Sequence, residues 1–434
     1  MICEYKHGIM SSHRSNNIAI VGTTLRILYC DMSLIVSYCS GGGGMADPRE
    51  TVMARWGHVQ SYLFPWMYEE FDPCTEALER LIIVLDTIGL EAFVPPPPGG
   101  GRGRKPDDRR VVARSFVAKA VLSLPTTTAL VERLAIDKSL RRICGWETRR
   151  EVPSEATFSR AFREFAATEL PERMHEALVK RTLGERLVGY VARDATEIEA
   201  REKPAEKDNP PPPPSVDPPR QRGRPKKGEE RPKEPTRLER QRAQSIKEML
   251  AELPTDCDIG SKKNSKGYKE SWTGYKLHID VVDGQIPVCC LLTAASVHDS
   301  QVAIPLMSIT GQRITYLYDI MDSAYDAAKI IEHSRSLGHV PVVDINFRTN
   351  ADLKAEHQAE AKRRALIHLP DPARAIYNFR TMVERINARL KDEFGGRFVR
   401  VRGAMKVKCH LMFGMLALTV DQIFRAFKPD PIPA

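Results

Sequence analysis

The chain has 434 residues, 65 Lys and Arg against 56 Asp and Glu, a formal net charge of +9 and 42% hydrophobic residues. This length predicts two or three domains, and the apolar content excludes a chain that is disordered throughout. The charge excess lies in residues 101–115, with six basic and two acidic groups, and in residues 201–245, with thirteen and eight. These differences of +4 and +5 account for the whole excess. Basic charge concentrated in Gly/Pro-rich segments indicates contact with a polyanion.

Cysteine content and hydropathy exclude further classes. Nine cysteines are scattered along the chain without a C-x-x-C pair, namely Cys3, Cys30, Cys39, Cys74, Cys144, Cys257, Cys289, Cys290 and Cys409. This pattern favours a reducing cytosol over a disulfide scaffold or a zinc cluster, and we expect the adjacent pair Cys289–Cys290 to lie in the core. No run of about 20 uninterrupted apolar residues occurs, so we expect no membrane span and no membrane partner. Residues 1–44 differ in character from the rest of the chain, and Met45 offers a second start, so we expect an over-extended N-terminus there.

Residues 45–185 have helical periodicity and form the first predicted domain. Its apolar positions at helical spacing are Leu78, Leu81, Ile82 and Leu85, then Phe116 to Leu124, then Phe158, Phe162 and Phe165. A turn at Pro153-Ser154 precedes the last of these helices, which also carries Arg160 and Arg163. Helix, turn and basic helix are compatible with helix-turn-helix DNA binding, and an ordinary helical hairpin gives the same pattern.

A proline-rich basic insertion is predicted at 201–265. Residues 201–245 hold eleven of the 31 prolines and only four apolar residues, so we expect this part to be solvated. It contains Arg222-Gly223-Arg224-Pro225, and an extended Arg-Gly-Arg-Pro segment can lie in the A·T minor groove. Arg222 and Arg224 are therefore candidate DNA-binding residues. A plain basic linker is the alternative interpretation.

Strand and helix patterns alternate on both sides of this insertion. The predicted elements are strand Leu187–Val191, half-buried strand Tyr275–Val281, a turn at Asp283-Gly284, strand Pro287–Leu292, helix Ser300–Ser308, strand Ile314–Ile320, helix Ala324–Ser336, strand Val340–Ile345 and helix Ala375–Lys391. The order β-β-β-α-β-α-β-α fits a mixed sheet flanked by helices, as in the ribonuclease-H-like fold. We therefore predict an α/β catalytic domain over 186–402, behind an all-helical DNA-binding domain, with a C-terminal helix in 403–434.

Three acids fall at notable places in this order. Asp194 ends the first predicted strand, Asp322 follows the fourth, and Glu384 lies on the last helix. The first and fourth strands are neighbours in a ribonuclease-H-like sheet, so both aspartates would lie at one edge. Converging carboxylates repel one another unless cations neutralise them, and Mg²⁺ prefers such oxygen ligands. Strand-end aspartates are also common turn residues.

The last predicted helix separates polar from apolar residues. Tyr377, Arg380, Glu384 and Lys391 fall within an arc of about 60° at 100° per residue. The apolar residues on the other face, which should be core, are Ile376, Phe379, Met382, Val383, Ile386 and Leu390. A solvated face with one Arg–Glu pair would show the same spacing.

The spacing Y-x2-R-x3-E-x6-K of these four polar residues resembles the signature of a large branch of DDE insertion-sequence transposases. Segments elsewhere are similar to that branch too: Asp194-Ala195-Thr196, Gly274-Tyr275-Lys276-Leu277-His278, the tract from Leu292 to Ser300, and Asp322-Ser323-Ala324-Tyr325. The resemblance extends from about residue 100 to residue 425.

The resemblance implies a DNA transposase with a ribonuclease-H-like catalytic domain. Asp194, Asp322 and Glu384 would be catalytic and would hold Mg²⁺ or Mn²⁺, as two ions, and Tyr377, Arg380 and Lys391 would contact DNA. Its partners would be double-stranded DNA, at inverted terminal repeats and at the target, and a second copy in a homodimer. The protein would be bacterial, cytoplasmic and associated with DNA. Asp319 and Asp299 remain alternatives for the second acid.

Two other functions remain open on the sequence alone. A non-catalytic repressor derived from a transposase would bind the same DNA, and a ribonuclease-H-like nuclease would cut without joining. His298 beside Asp299 has no H-x3-H or cysteine partner, which favours a structural role. Neither a G-x4-G-K-[ST] phosphate loop nor a G-x-S-x-G elbow occurs in the sequence, so it supports neither an ATP-driven partner protein nor a serine hydrolase.

Overall fold

A computed structural model of the protein describes residues 74–96, 107–206, 235–263, 266–348, 350–367 and 371–427. These residues fall within one compact unit, Val59–Ala434. The predictions made for residues 1–44 and for Arg222 and Arg224 concern residues outside the described ranges.

Six helices precede the first described strand. They are α1 Glu76–Ile88, α2 Arg109–Val121, α3 Thr127–Ile136, α4 Lys138–Cys144, α5 Glu155–Ala167 and α6 Leu170–Leu183. Side-chain oxygens of Thr75, Asp108, Thr126 and Asp137 accept hydrogen bonds from backbone N–H groups in the first turns of α1 to α4. Such caps satisfy donors that the helix itself leaves unpaired. The predicted phenylalanine spacing is confirmed, because Phe158, Phe162 and Phe165 of α5 are all buried.

Six strands form one mixed sheet. They are β1 Leu187–Glu199, β2 Asp258–Lys263, β3 Lys269–Val282, β4 Ile286–Ala294, β5 Thr315–Met321 and β6 Val340–Val343. The hydrogen-bonded order is β2-β3-β1-β5-β6, and β4 also pairs with β3. β1 runs antiparallel to β3 and parallel to β5. The predicted pairing of the first strand with the strand that precedes Asp322 is therefore confirmed.

Strand β1 is longer than the sequence predicted. Its parallel pairing with β5 ends at Ala192↔Ile320, whereas its antiparallel pairing with β3 continues to Glu199↔Gly274. Asp194 consequently lies inside β1 and not at its end. The prediction stopped too early because Glu197 and Glu199 break the apolar run that marked the strand.

Strand β3 is buried on both faces from Leu277 to Val282, so the prediction of a half-buried strand is wrong there. Its polar residues His278 and Asp280 are fully buried beside its apolar ones. His278 hydrogen-bonds Thr293 at 3.0 Å, and Asp280 accepts hydrogen bonds from Arg193. Buried polar groups are tolerated when they are paired in this way. Alternation of polar and apolar residues therefore identified the strand but not its exposure.

The described part of the insertion includes helices and a strand. It contains two short helices, α7 Arg237–Gln241 and α8 Ile246–Ala251, as well as strand β2. Gln241 is buried, and its amide donates a hydrogen bond of 2.8 Å to the carbonyl oxygen of Gln301. The prediction that residues 201–245 are solvated throughout is therefore wrong for their last part. The domain boundaries assigned around this insertion remain predictions.

The remaining helices follow β4. They are α9 Ser300–Gly311, α10 Ala328–Ser336, α11 Ala351–Leu366, α12 Pro372–Tyr377, α13 Thr381–Asp392 and α14 Ala404–Ala426. Helix α11 was not predicted, and all of its described residues are at least partly exposed. Helix α14 is long and apolar enough to cross a membrane, but 78% of its most apolar window is buried inside the protein.

One apolar core joins the helical region to the sheet. Residues of α1 to α6, of β1, β3, β4 and β5, and of α13 and α14 all belong to it. Phe116 of α2 packs against Phe162 of α5 and Phe413 of α14, with ring centroids 4.9 and 5.9 Å away. The adjacent cysteines Cys289 and Cys290 are buried, as predicted. The predicted boundary at residue 185 thus marks a change from helix to strand within a continuous core.

Candidate active site

Asp194 and Asp322 lie where β1 and β5 separate. Asp194 is two residues beyond Ala192, the last β1 residue paired with β5, and Asp322 directly follows the end of β5. The Asp322 carboxylate also accepts a hydrogen bond of 2.9 Å from the backbone N–H of Ala324. This bond holds Asp322 at the start of a 3-10 turn formed by Ser323–Tyr325.

The aspartates influence each other electrostatically. The pKa of Asp194 is raised to about 7, chiefly by burial and also by the negative charges of Asp322 and Asp299, against the lowering effects of the Ala195 backbone hydrogen bond and of Arg380. Burial and the charge of Asp299 also raise the pKa of Asp322. Negative charge at this edge of the sheet therefore disfavours the ionised forms of Asp194 and Asp322.

Arg380 connects Glu384 to the aspartates. Its guanidinium donates a hydrogen bond to Glu384, and its Nη1 lies 3.7 Å from Asp194 Oδ2. Half of the Glu384 side chain is exposed, compared with 19% for Asp194. Among the residues that the structure describes, no three His, Cys, Asp or Glu side chains are grouped closely enough to hold a metal ion. The structure thus brings the three predicted acids to one region, with Glu384 turned towards Arg380.

The predicted catalytic helix is interrupted. A 3-10 turn, Asn378–Arg380, separates α12 from α13, so the assumption of 100° per residue across 375–391 is wrong. The tighter turn changes the direction of Tyr377 relative to Glu384. Tyr377 still lies near the acids, because the charges of Arg380, Asp344 and Asp322 all affect its pKa, which burial raises. Of the predicted apolar face, Met382, Val383, Ile386 and Leu390 are buried, whereas Ile376 and Phe379 are only partly buried against the core.

Lys391 is paired with an acid of β1. Its Nζ lies 2.9 Å from Glu197 Oε1, while the other oxygen of Glu197 lies 3.0 Å from Nζ of Lys262 on β2. Although burial opposes ionisation, the hydrogen bonds from Lys391 and Lys262 lower the pKa of Glu197 to about 2. Neither Glu197 nor Lys262 was predicted from the sequence to be a site residue.

The two alternative second acids have different surroundings. Asp319 is fully buried and lies 3.3 Å from the Arg193 guanidinium. Asp299 is 25% exposed, lies 3.0 Å from Nζ of Lys276, and precedes helix α9. Asp299 therefore faces the same region as Asp194 and Asp322, whereas Asp319 belongs to the interior.

A buried ionic network lies directly behind the candidate site. The Arg193 guanidinium donates two hydrogen bonds of 2.8 Å to Asp280, and the same arginine lies against Asp319. Asp280 also accepts from Thr310, and Asp319 accepts from Ser334. This network joins β1, β3 and β5 beside Asp194. It was not predicted from the sequence. The Arg193-Asp194 pair in the sequence was its only local signal.

The other predicted residues lie outside this group. Arg160 and Arg163 are exposed on α5. His298 is exposed, and its Nδ1 lies 2.8 Å from the hydroxyl oxygen of Ser300, consistent with the structural role expected of it. Its charge also lowers the pKa of Asp322, so it lies at the margin of the site.

The carboxylates of Asp194, Asp322 and Asp299 are chemically suited to a hard divalent cation. Mg²⁺ binds carboxylate oxygens and retains water ligands. Burial and repulsion between like charges disfavour ionisation of Asp194 and Asp322, and a cation would offset both effects. The donor set therefore fits a magnesium or manganese ion, and Glu384 is one side chain away across Arg380.

A mixed sheet in this order, with acids where β1 and β5 separate, is consistent with the ribonuclease-H-like class of DNA-processing domains. The family model described as the transposase DDE domain matches residues 192–420, which is more than half of the chain. A second model, described as a transposase domain (DUF772), matches residues 67–164. The chain therefore belongs to the DDE transposase family.

These matches confirm the resemblance at the level of insertion-sequence DDE transposases. Members of this family normally use divalent metal ions. The branch defined by Y-x2-R-x3-E-x6-K remains a prediction. Searches of curated proteins and of solved structures returned no match.

Proposed function

We propose that this transposase binds the inverted terminal repeats of its element, cleaves the ends and joins them to target DNA. The observation that supports this most strongly is the family match over residues 192–420, with Asp194 and Asp322 placed where β1 and β5 separate. Both steps are phosphoryl transfers. Water attacks the end phosphate and releases a 3′-hydroxyl, and that hydroxyl then attacks a target phosphate. Because two ends must be joined together, we expect a homodimer acting on DNA in the bacterial cytoplasm.

Asp194, Asp322 and Glu384 are the proposed ligands of two Mg²⁺ or Mn²⁺ ions. When bound, such ions stabilise negative charge on the transferring phosphoryl group and activate the attacking oxygen. We prefer Asp322 to Asp319, because the Asp319 carboxylate is fully buried against Arg193. Asp299 is paired with Lys276 and would act electrostatically.

Three residues around the acids are proposed to hold DNA. The Arg380 guanidinium already spans Asp194 and Glu384, so it lies where a phosphate would be bound. Arginine presents five N–H donors in a planar fork, which suits phosphate oxygens. Tyr377 would donate its hydroxyl to the same strand, and Lys391 would bind the backbone further along α13.

The helical region and the insertion are proposed to recognise the ends. Arg160 and Arg163 are exposed on α5, which places two cations on one helix that follows a turn. Arg222 and Arg224 would add minor-groove contacts, as the sequence predicts. Cations that contact phosphates strengthen binding in a salt-dependent way without selecting a sequence.

The test compares binding, cleavage and joining for single variants of the three acids. Asp194→Asn, Asp322→Asn and Glu384→Gln should each lower cleavage of duplexes taken from both flanks of the gene by about 100-fold or more, because charge stabilisation is lost. DNA binding should stay near that of the wild type. Asp352→Asn is the matched control, since Asp352 is exposed on α11.

Each outcome identifies a function. Wild-type activity in any of the three variants would contradict the role of that acid. Binding without cleavage by the wild type, in Mg²⁺ and in Mn²⁺, would favour a repressor. Cleavage without joining of pre-cleaved ends would favour a nuclease.

A further inference from the structure

One carboxylate holds two lysines from different parts of the chain. Glu197 of β1 lies 2.9 Å from Lys391, at the end of α13, and 3.0 Å from Lys262, in the insertion strand β2. Of these side chains Lys391 is the least exposed, at 17%, and Lys262 the most, at 47%. Glu197, their shared partner, therefore holds both ammonium groups beside one carboxylate.

These lysines have unused hydrogen-bonding capacity. Each ammonium group has three N–H donors, and one contact with Glu197 occupies one of them. Two cations around one carboxylate leave a local charge of +1, because Glu197 balances only one of Lys262 and Lys391. A second anion is therefore favoured at this position.

The surface around Lys262 is basic. Residues 261–270 contain four lysines and one glutamate, a net charge of +3. All the described members of this stretch are exposed, including Tyr268 at 69%. Lysine and tyrosine side chains are common contacts of DNA phosphates. The described residues of the β2–β3 hairpin, 261–263 and 266–270, thus have the charge and composition of a backbone-binding surface.

The lysine pair lies at a similar offset from the acids on both elements. Glu197 is three residues beyond Asp194 on an extended strand, which is about 10 Å. Lys391 is seven residues beyond Glu384 on a helix, which is also about 10 Å. One strand of B-DNA carries a phosphate about every 3.4 Å of helix axis, so an offset of about 10 Å spans at most about three nucleotides of one strand.

We propose that Lys262 binds the DNA backbone within about three nucleotides of the cleaved bond, held beside Lys391 by Glu197, so that the β2–β3 hairpin forms part of the DNA-binding surface. The proposal rests on the transposase function above. It assigns a binding role to a part of the insertion for which the sequence suggested only a linker or a minor-groove arm. Glu197 is then a positioning residue that keeps both lysines directed at one stretch of backbone.

Salt-dependent binding tests this role. The probe is a duplex of about 30 base pairs of arbitrary sequence, in buffer without divalent ions, so that cleavage does not interfere. Lys262→Gln should reduce the magnitude of the slope of log affinity against log salt by about 0.9, the amount expected for one lost phosphate contact. Lys391→Gln should do the same, and the double variant should lose about twice as much.

Matched variants distinguish the effect of losing a positive charge from the effect of disturbing the fold. Lys262→Arg should keep the wild-type slope, because the cation is retained. Lys247→Gln removes an exposed lysine from α8, outside the Glu197 cluster, and should also leave the slope unchanged. Thermal unfolding midpoints of Lys262→Gln, Lys262→Arg and Lys247→Gln should agree with that of the wild type, since Lys262 and Lys247 are exposed.

Position along the DNA is tested with a single neutral methylphosphonate in a duplex that carries the cleaved end. Placed in turn at each position up to about three nucleotides from the cleaved bond, this substitution should at one of them weaken binding by the wild type but not by Lys262→Gln. An unchanged slope for Lys262→Gln, with a reduced slope for Lys391→Gln, would overturn the proposal and leave the proposed function intact. No salt-dependent binding by the wild type would instead contradict the proposed function itself.

Discussion

Arg193 is a fully buried cation that forms ion pairs with two fully buried carboxyl groups, Asp280 and Asp319. Replacing it by methionine would leave those carboxylates without their partner in a region shielded from water. We expect Arg193→Met to lower the free energy of unfolding by about 3–5 kcal/mol, the usual cost of removing one member of a buried ion pair. Chemical denaturation of the purified protein measures this difference.

Arg385→Met provides the comparison for Arg193→Met, because Arg385 is exposed on α13. Its effect should stay within about 0.5 kcal/mol. If Arg193→Met were as stable as the wild type, apolar packing of the methionine would fully replace the stabilising effect of the ionic network.

At the scale of single residues, the sequence predicted which side chains lie at the candidate site better than it predicted which side chains pair with one another. Asp194 and Asp322 were predicted to lie at one edge, and the structure places both where β1 and β5 separate. Arg193 was missed because its partners Asp280 and Asp319 are 87 and 126 residues away in the chain. Spacing within one helix or strand carries no information about such distant pairs.

Strand β3 closely approaches β1 at Gly274, which pairs with Glu199. A Cβ atom there would lie 2.2 Å from the backbone oxygen of Ile198, and the residue has a φ of 152°. Because neither backbone can move without breaking the pairing, we expect Gly274→Ala to destabilise the protein by about 3 kcal/mol or more. The thermal unfolding midpoint should fall accordingly.

Gly311→Ala is the control for this substitution. Gly311 is the last residue of α9, and a Cβ atom there meets no heavy atom within 4 Å. Its midpoint should be unchanged or slightly raised, because alanine favours helix over glycine. A similar loss in both variants would show that close approach is not the cause.

At the scale of elements, helices that bury one face were predictable from the sequence, whereas helices that depart from this pattern were not. The helical spacing of apolar residues in α5 and α13 correctly predicted a helix in each segment, because each packs one side into the core. Helix α11 buries none of its described residues, so it lacks the periodicity that reveals a helix. The 3-10 turn before α13 was missed because the same polar spacing is compatible with either type of helix.

Helix α14 connects the two halves of the molecule. Phe413 on this helix is buried against Phe116 of α2, and other residues of α14 pack against α6 and β4. We expect Phe413→Ala to lower stability by about 3–5 kcal/mol, the range for removing a buried phenylalanine side chain. Because the core is continuous, hydrogen exchange should speed up by the same factor in α2 and in β1.

Met405→Ala is the matched variant on the same helix, where Met405 is 67% exposed. It should leave exchange in both regions unchanged. Faster exchange in α2 alone for Phe413→Ala would show that the helical region unfolds independently of the sheet.

Helix α14 also determines when the protein folds during its synthesis. The helical region ends at residue 183, and α14 begins at residue 404, which is 221 residues later. A ribosome that adds about 5–20 residues per second needs about 10 to 45 s to make that length. During this interval α2, α5 and α6 lack the helix that covers their apolar faces. The nascent chain therefore presents a surface for chaperones until α14 emerges, and its first helices complete their packing only after the sheet has been made.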